Sequence, residues 1–88
     1  MTYELVYSND AVNALEKMDS KTSGMIMSWI EKNLYRCENP RRTGKALKGR
    51  FAGMWRYRVG DYRIFALIKD NELIIVLVDI RHRRNAYS

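Results

Sequence analysis

The length of 88 residues predicts a single domain over residues 1–88, because so short a chain cannot support two hydrophobic cores. The domain is expected to be folded, because 47% of the residues are hydrophobic and 11% aromatic, whereas a disordered chain is poorer in apolar residues. One cysteine, Cys37, and one histidine, His82, exclude a disulfide framework and a zinc site built on Cys or His, so no metal is predicted. The net charge of +6 comes from the second half, because residues 1–40 carry four basic and six acidic side chains, whereas residues 41–88 carry twelve and four. Such a basic field favours an anionic partner, above all nucleic acid, over a role in solubility alone.

The sequence carries no signal for a membrane or for export. A membrane-spanning helix needs a run of about 18 apolar residues, and the sequence has none. The N-terminal residues MTYELVYSND lack the basic segment followed by an apolar stretch that marks a signal peptide. We therefore expect a cytoplasmic protein without membrane contact.

The N-terminal residues, up to Pro40, predict one strand and two helices. Residues 2–7 alternate in side-chain character, which is typical of a strand. Ser8 can cap a first helix that ends near Asp19, and Asp19 or Ser20 can begin the second helix. Each helix has an apolar face, formed by Ala11, Val12, Leu15 and Met18 in the first and by Met25, Ile26, Trp29, Ile30 and Leu34 in the second. We expect both faces to pack on a sheet.

The remaining residues predict a basic connector followed by three consecutive antiparallel strands. The connector, residues 39–53, contains five basic residues and four glycine or proline residues. Residues 54–59, 62–69 and 72–80 are rich in aromatic and β-branched side chains, and the pairs Gly60-Asp61 and Asp70-Asn71 suit the loops between them. The expected fold class is α+β: a small antiparallel sheet, joined by the N-terminal strand and covered on one face by both helices.

A two-residue loop at Gly60-Asp61 predicts the register of the first hairpin. It places Arg58 opposite Arg63 and Arg56 opposite Phe65, so the three arginines share one face, while alternate residues of both strands form the apolar face. Like charges opposite each other destabilise a sheet, and a bound anion would relieve the repulsion. Because the arginine fork fits phosphate oxygens, this face is predicted to bind a phosphodiester, with an ordinary solvated face as the alternative.

The last residues, RHRRNAYS, combine basic and aromatic side chains. Arginines in this segment can neutralise phosphate, and Tyr87 can either stack on an unpaired base or anchor the terminus against the sheet. Histidine is the residue type that titrates near neutrality, so His82 is a candidate for proton transfer, with a structural role as the alternative.

The order of these elements and three motifs resemble the RelE toxins of bacterial toxin–antitoxin pairs, within the RelE/ParE superfamily. The motifs are LKG at residues 47–49, WRYRVGDYRI at residues 55–64 and H-R-x-x-x-Y at residues 82–87. The resemblance covers nearly the whole chain, although the two helices match only in pattern. It implies a RelE-like fold and a cytoplasmic ribonuclease that cuts messenger RNA in the ribosomal A site and is neutralised by a RelB-like antitoxin.

The resemblance also implies roles for individual residues. Tyr87 matches a tyrosine that stacks on the substrate base. Four arginines match the family's basic catalytic positions: Arg56, Arg58, Arg63 and Arg81. Further basic residues are expected to bind RNA or the ribosome: Lys45, Lys48, Arg50, Arg83 and Arg84.

The resemblance does not identify the general base of this implied reaction. The best-known RelE toxin has lysines in place of Arg56 and Arg58, and arginine stays protonated, so it can stabilise phosphate charge but is a poor base. The candidates are Lys48, His82 and Tyr87. Among them His82 is weakly favoured.

In the reaction that the resemblance implies, the 2′-hydroxyl of the RNA attacks the adjacent phosphate, so no metal, cofactor or protein nucleophile is called for. Two other functions are open. ParE toxins share the fold and inhibit DNA gyrase, but they lack the RNA-cleaving residues, so the hairpin arginines and Tyr87 argue against this function. A non-catalytic RNA-binding module would carry the same basic face.

Overall fold

The computed structural model describes residues 1–87, and Ser88 lies outside the described residues. Two helices, α1 (Asn9–Lys17) and α2 (Ser20–Asn33), follow the first strand. The strands are β1 (Glu4–Tyr7), β2 (Lys45–Ala46), β3 (Trp55–Val59), β4 (Tyr62–Lys69) and β5 (Ile74–His82). They form one five-stranded sheet in the order β1-β5-β4-β3-β2, with 3₁₀ turns at Gly49–Phe51 and Arg83–Asn85.

The predicted α+β fold is confirmed, and the sheet differs from the prediction in two details. First, β1 pairs with β5 in parallel, so the sheet is mixed rather than wholly antiparallel. Second, the connector contributes the short edge strand β2, which pairs with β3. Strand composition reports neither the direction of a pairing nor a two-residue edge strand, so both details depend on tertiary contacts.

The turn between β4 and β5 is longer than predicted, and it shifts the last strand along the chain. Leu73 adopts a left-handed φ of 54°, and its amide donates to the carbonyl of Asp70. As a result β5 begins at Ile74 rather than at residue 72, and it continues to His82 rather than ending at residue 80.

Side-chain caps begin both helices, as the sequence predicts for Ser8 and Asp19. The Ser8 hydroxyl accepts from the amide of Ala11 at 3.1 Å and donates to the carbonyl of Val78 on β5 at 2.6 Å. The Asp19 carboxylate accepts from the amide of Thr22 at 3.1 Å. Each cap satisfies an otherwise unpaired donor at a helix start, and Ser8 also ties α1 to the sheet.

The hydrophobic core lies between the two helices and one face of the sheet. Its largest fully buried side chains are Tyr57, Ile26, Ile30, Leu34, Ile64, Ile75 and Leu77. The Tyr57 ring packs 5.6 Å from that of Trp29, and its hydroxyl donates to the carbonyl of Pro40. Burial raises the pKa of this phenol above its ordinary value.

The predicted apolar stripes are only partly buried. Met25 and Val12 are 47% and 40% exposed, so their assignment to the buried faces is wrong. Successive helical residues lie about 100° apart, and α2 turns the row of Ile26 and Ile30 to the sheet, which leaves Met25 on the flank.

An ion pair and the close approach of Gly44 to Trp55 fasten the basic connector to the sheet. Arg41 donates through both of its terminal nitrogens to the Asp70 carboxylate, each at 2.9 Å, and Tyr3 donates to the same carboxylate at 2.7 Å. Arg41, and then Tyr3, lower the pKa of Asp70 to about 2. Gly44, with a φ of 92°, packs so tightly that a Cβ would lie 2.4 Å from Nε1 of Trp55. The connector therefore follows a defined path to β3.

No helix within residues 1–87 combines the length and the apolar character needed to cross a bilayer.

Candidate active site

Arginines from three adjacent strands lie in one row on the face of the sheet that the helices leave uncovered. Arg58 on β3 pairs with Arg63 on β4, which pairs with Arg81 on β5. The register predicted for the Gly60-Asp61 hairpin is confirmed, including Arg56 opposite Phe65. Because residues opposite each other in a sheet point to the same side, the pairing puts the three arginine side chains on one face of the sheet. We call Arg56, Arg58, Arg63 and Arg81 the arginine face.

Arg63 is the buried member of the arginine face. It is 8% exposed, and its Nη1 donates to the carbonyls of Gly60 and Tyr62 at 3.1 and 3.0 Å. Burial, followed by the positive charges of Arg58 and Arg56, lowers the pKa of Arg63. A guanidinium held by main-chain carbonyls among other cations is rigid and electropositive, which are the properties that phosphate binding requires.

Among the described residues, an acidic side chain neutralises the positive charge of the arginine face only at its β5 edge, at Arg81. Asp79 on β5 pairs with Arg81, whose Nε lies 2.7 Å from the carboxylate. Within residues 1–87, no ion pair joins Arg56, Arg58 or Arg63 to a carboxylate. Asp79 therefore orients Arg81 while the positive field of the others remains unneutralised.

Tyr87 lies against the arginine face and is held by several contacts. Its hydroxyl accepts from Nη1 of Arg56 at 2.9 Å, and its ring packs edge-on against Phe51 and Phe65, with centroids 5.9 and 6.0 Å away. The residue is nevertheless 46% exposed. Tyr87 thus packs on the sheet, as its anchoring role predicts, and still leaves part of its surface exposed beside Arg56.

Arg56 carries an unsatisfied hydrogen-bond donor. Its Nη1 binds Tyr87, but its Nε is buried and has no hydrogen-bond partner among residues 1–87. A buried donor without a partner is costly, by about 1–3 kcal/mol. Because this nitrogen has no exposed surface, an acceptor reaches it only when the side chains that cover it move.

The structure does not bring His82 to the arginine face. His82 is paired with Tyr62, and their rings meet edge-on at 5.3 Å on the face opposite Arg81 and Arg63. Its Nδ1 accepts from the amide of Arg84 at 3.2 Å and caps the last 3₁₀ turn. Neighbouring residues of a strand point to opposite faces, so the preference for His82 as the base has no geometric support. The contacts instead match its structural alternative.

The predicted RNA-binding residues lie on different elements, and one of them extends the arginine row. Lys45 on β2 pairs with Arg56 and extends the row toward the sheet edge. Arg83 binds the hairpin loop, with its amide 2.7 Å from the carbonyl of Asp61 and its Nε 3.8 Å from the carboxylate. Lys48 precedes the first 3₁₀ turn, and Arg84 is exposed in the second.

Arg50 makes a contact that its charge alone does not predict. Its Nη2 donates to the main-chain carbonyl of Tyr87 at 2.7 Å, and its guanidinium lies 5.0 Å over the ring of Phe51. Sequence reasoning also missed Phe51 and Asp79. The register had placed Phe65 beside Arg56, but nothing in the sequence indicated that Phe51 would stack on it at 5.8 Å.

The part of the chain from Met1 to Tyr87 holds no cluster of three or more His, Cys, Asp or Glu residues arranged to bind a metal ion.

Comparison with known proteins identifies the family. A family model described as the ParE toxin of type II toxin–antitoxin systems matches residues 5–87. The chain belongs to this family. It is 28% identical over 87 residues to toxin RelG of Mycobacterium tuberculosis, and the match covers 99% of this chain and 98% of RelG.

Solved structures of RelE-type toxins share the fold. The toxin–antitoxin complex RelBE2 of Mycobacterium tuberculosis contains a chain with a TM-score of 0.84 and 26% identity, with 97% of this chain and 95% of that chain covered. The archaeal RelE–RelB complex of Pyrococcus horikoshii OT3 gives a TM-score of 0.72 at 23% identity, with 98% and 100% covered. The resemblance to RelE-type toxins is confirmed.

Proposed function

We propose that this type II toxin is a ribosome-dependent endoribonuclease that cuts messenger RNA in the A site. The observation that carries the proposal is the row of Arg58, Arg63 and Arg81 across three strands, flanked by Arg56 and Tyr87. The row does not serve the stability of the fold, because like charges that lie opposite each other destabilise a sheet. A phosphodiester placed on this face would neutralise the charges and contact an aromatic ring at the same time.

The chemistry follows from what arginine can do. The substrate's 2′-hydroxyl attacks the adjacent phosphate in line, the bond to the 5′-oxygen breaks, and the products carry a 2′,3′-cyclic phosphate and a 5′-hydroxyl. Negative charge grows on the phosphate oxygens in the transition state, and fixed guanidinium groups stabilise it more than they stabilise the substrate. Arg63, held by two carbonyls, and Arg81, held by Asp79, are already oriented for this role.

Proton transfer is assigned to a side chain other than arginine. Arginine stays protonated, and His82 faces away from the arginine row. Tyr87 has its hydroxyl 2.9 Å from Arg56, and Lys48 is exposed next to the first 3₁₀ turn, so these two are the remaining candidates. With no strong acid–base pair on the arginine face, the ribosome supplies much of the catalysis by orienting the RNA for in-line attack.

The same basic surface explains the partners. We expect four exposed cations to bind ribosomal or messenger RNA: Lys45, Lys48, Arg83 and Arg84. A RelB-like antitoxin is the protein partner, as it is for the toxins in the RelBE2 and archaeal RelE–RelB complexes. Where it meets the arginine face, the antitoxin should be acidic.

Inhibition of DNA gyrase is the second candidate, because the matching family model is that of the ParE toxin. Inhibition of gyrase does not call for a row of arginines suited to phosphate next to a tyrosine suited to base stacking. The two functions also stop different processes, so they can be separated in the cell.

Pulse labelling after induction of the toxin without its antitoxin separates the candidates. We expect incorporation of labelled amino acids to fall first, together with messenger RNA cleavage, while thymidine incorporation continues. The matched control is the double variant Arg63→Ala/Arg81→Ala, which should restore growth. Loss of DNA synthesis before protein synthesis would replace this proposal with gyrase inhibition, and loss of translation with intact messenger RNA would favour a non-catalytic RNA-binding module.

A further inference from the structure

We infer that Arg50 is the positioning residue of Tyr87: it holds the end of the chain so that the tyrosine ring stays beside the arginine face. The inference rests on the proposed function, because it assigns Arg50 a task in base stacking. It also changes the role of Arg50 from the direct RNA contact that its charge predicts to a contact within the protein.

Two contacts pin Tyr87 at opposite ends. The hydroxyl accepts from Nη1 of Arg56 at 2.9 Å, and the main-chain carbonyl accepts from Nη2 of Arg50 at 2.7 Å. If only the hydroxyl of Tyr87 were hydrogen-bonded, its main chain could still rotate about that contact. The bond from Arg50 removes that freedom, because it fixes the backbone from which the ring projects.

The 3₁₀ turn Gly49–Phe51 is built to make this contact. Arg50 and Phe51 are consecutive, so one turn supplies the donor for the Tyr87 carbonyl and the ring that packs edge-on against the Tyr87 ring at 5.9 Å. The guanidinium lies 5.0 Å over the Phe51 ring, which limits the positions that it can adopt. Phe51 in turn stacks on the buried Phe65 at 5.8 Å, so the assembly is supported by the sheet.

Tyr87 needs such support because of its position. It follows the 3₁₀ turn Arg83–Asn85 and lies outside the helices and strands, so the regular hydrogen bonds of those elements do not hold it. Ala86 is fully buried and fixes the chain immediately before it, but Tyr87 itself is 46% exposed. Stacking on a base requires the ring to be in place before the base arrives, since ordering it afterwards would weaken the interaction.

A double-mutant cycle separates positioning from a direct RNA contact. If Arg50 acts through Tyr87, Arg50→Ala should lower the maximal rate of messenger RNA cleavage on ribosomes about five- to tenfold, but less than about twofold in a Tyr87→Ala background. Arg50→Gln, which keeps a donor and removes the charge, should retain more activity than Arg50→Ala. Arg42→Ala, which removes an equally exposed arginine of the connector, is the matched control and should match the wild type.

The inference is overturned if Arg50→Ala lowers the rate by the same factor in both backgrounds, because an independent RNA contact is additive. It is also overturned if Arg50→Gln is as impaired as Arg50→Ala while all variants keep the wild-type circular dichroism.

A second readout does not depend on activity. With 3-fluorotyrosine at position 87, the ¹⁹F resonance of the free protein should move toward the value of an unfolded peptide and sharpen in Arg50→Ala, but not in Arg42→Ala. An unchanged resonance overturns the inference. If the wild-type protein cleaves no messenger RNA, the proposed function fails, whereas this measurement still tests the positioning of Tyr87.

Discussion

The two faces of the sheet differ in how well their side chains are packed and paired. On the helix-covered face, Tyr57 is fully buried, packs on Trp29 and has its hydroxyl satisfied by the Pro40 carbonyl. On the other face, Arg58 and Arg63 lie opposite each other, and the buried Nε of Arg56 has no hydrogen-bond partner in the described part of the chain, residues 1–87. One face is optimised for stability, and the other keeps unfavourable charge that a bound anion would relieve. Such a contrast is typical of a functional surface carried on a rigid scaffold.

The same strands build both faces. In β3 the burial alternates, with Tyr57 and Val59 buried and Arg58 exposed, because successive side chains of a strand point to opposite sides. Adjacent substitutions in this strand should therefore have opposite consequences. Substitutions on the helix-covered face should unfold the toxin, whereas substitutions on the arginine face should lower its activity and leave it folded.

The largest expected effect is on stability. Tyr57→Ala should cost about 3–5 kcal/mol, because it removes a fully buried ring and leaves the Pro40 carbonyl unpaired. A loss of this size is comparable to the whole stability of a small domain. Urea denaturation followed by circular dichroism should show no cooperative transition, whereas the neighbouring Arg56→Ala should retain one. Equal stability of the two variants would contradict the division between the faces.

The next effect is on activity. Arg63→Ala and Arg81→Ala should each lower the rate of ribosome-dependent cleavage at least about tenfold, or roughly 1.4 kcal/mol of lost transition-state stabilisation. Single-turnover cleavage on programmed ribosomes measures this rate, and circular dichroism reports whether the fold is kept. Because Arg63 also binds two main-chain carbonyls, Arg81→Ala is the more direct test. Unchanged rates in both variants and in Tyr87→Ala would make the arginine face a binding surface only.

Substitutions of Tyr87 separate its ring from its hydroxyl. Tyr87→Ala should slow cleavage about tenfold, since base stacking is worth about 1–3 kcal/mol per base. Tyr87→Phe keeps the ring and loses the contact with Arg56, so it should remain within about threefold of the wild type. The same cleavage assay measures both. A Phe variant as slow as the Ala variant would show that the hydroxyl transfers a proton.

Removing the repulsion on the arginine face should stabilise the fold slightly. Arg58→Thr replaces one of two opposed cations with a good strand former, and we expect a gain of a few tenths of a kcal/mol together with slower cleavage. Thermal unfolding measures the gain, with Lys69→Thr at the exposed end of β4 as the control. A lower melting temperature for Arg58→Thr would mean that Arg58 contributes to stability after all.

The last effect is confined to acid pH. The carboxyl of Asp70 has a pKa of about 2 in the folded protein, mainly through Arg41, against about 3.9 in an unfolded chain. Because the folded pKa is the lower, the stabilisation from these contacts is present above about pH 4 and is lost as the pH falls toward 2. Asp70→Asn should remove this part of the acid dependence, as measured by urea denaturation between pH 5 and 2. An identical acid dependence in the variant would contradict the assignment.

The pairing of Arg58 with Arg63 could be predicted because its geometry is local, whereas the place of Arg81 beside Arg63 depends on the register of β5. Alternation along two strands and a two-residue loop are enough to oppose Arg58 and Arg63. The position of His82 could not be inferred in the same way, because the predicted strand ends two residues before it, whereas β5 continues to His82. The contact between Arg50 and Tyr87 spans 37 positions and depends on the path of the connector, which side-chain patterns do not encode.

If the arginine face cuts messenger RNA on the ribosome, the ends of the RNA fragments carry the chemical signature of the reaction. Purified toxin should be added to ribosomes programmed with a defined messenger RNA, with Arg81→Ala as the matched control. We predict cuts within the A-site codon that leave a 2′,3′-cyclic phosphate and a 5′-hydroxyl, and that are at least about tenfold slower with Arg81→Ala. Intact messenger RNA under these conditions, or equal cleavage by the wild type and Arg81→Ala, would contradict the account.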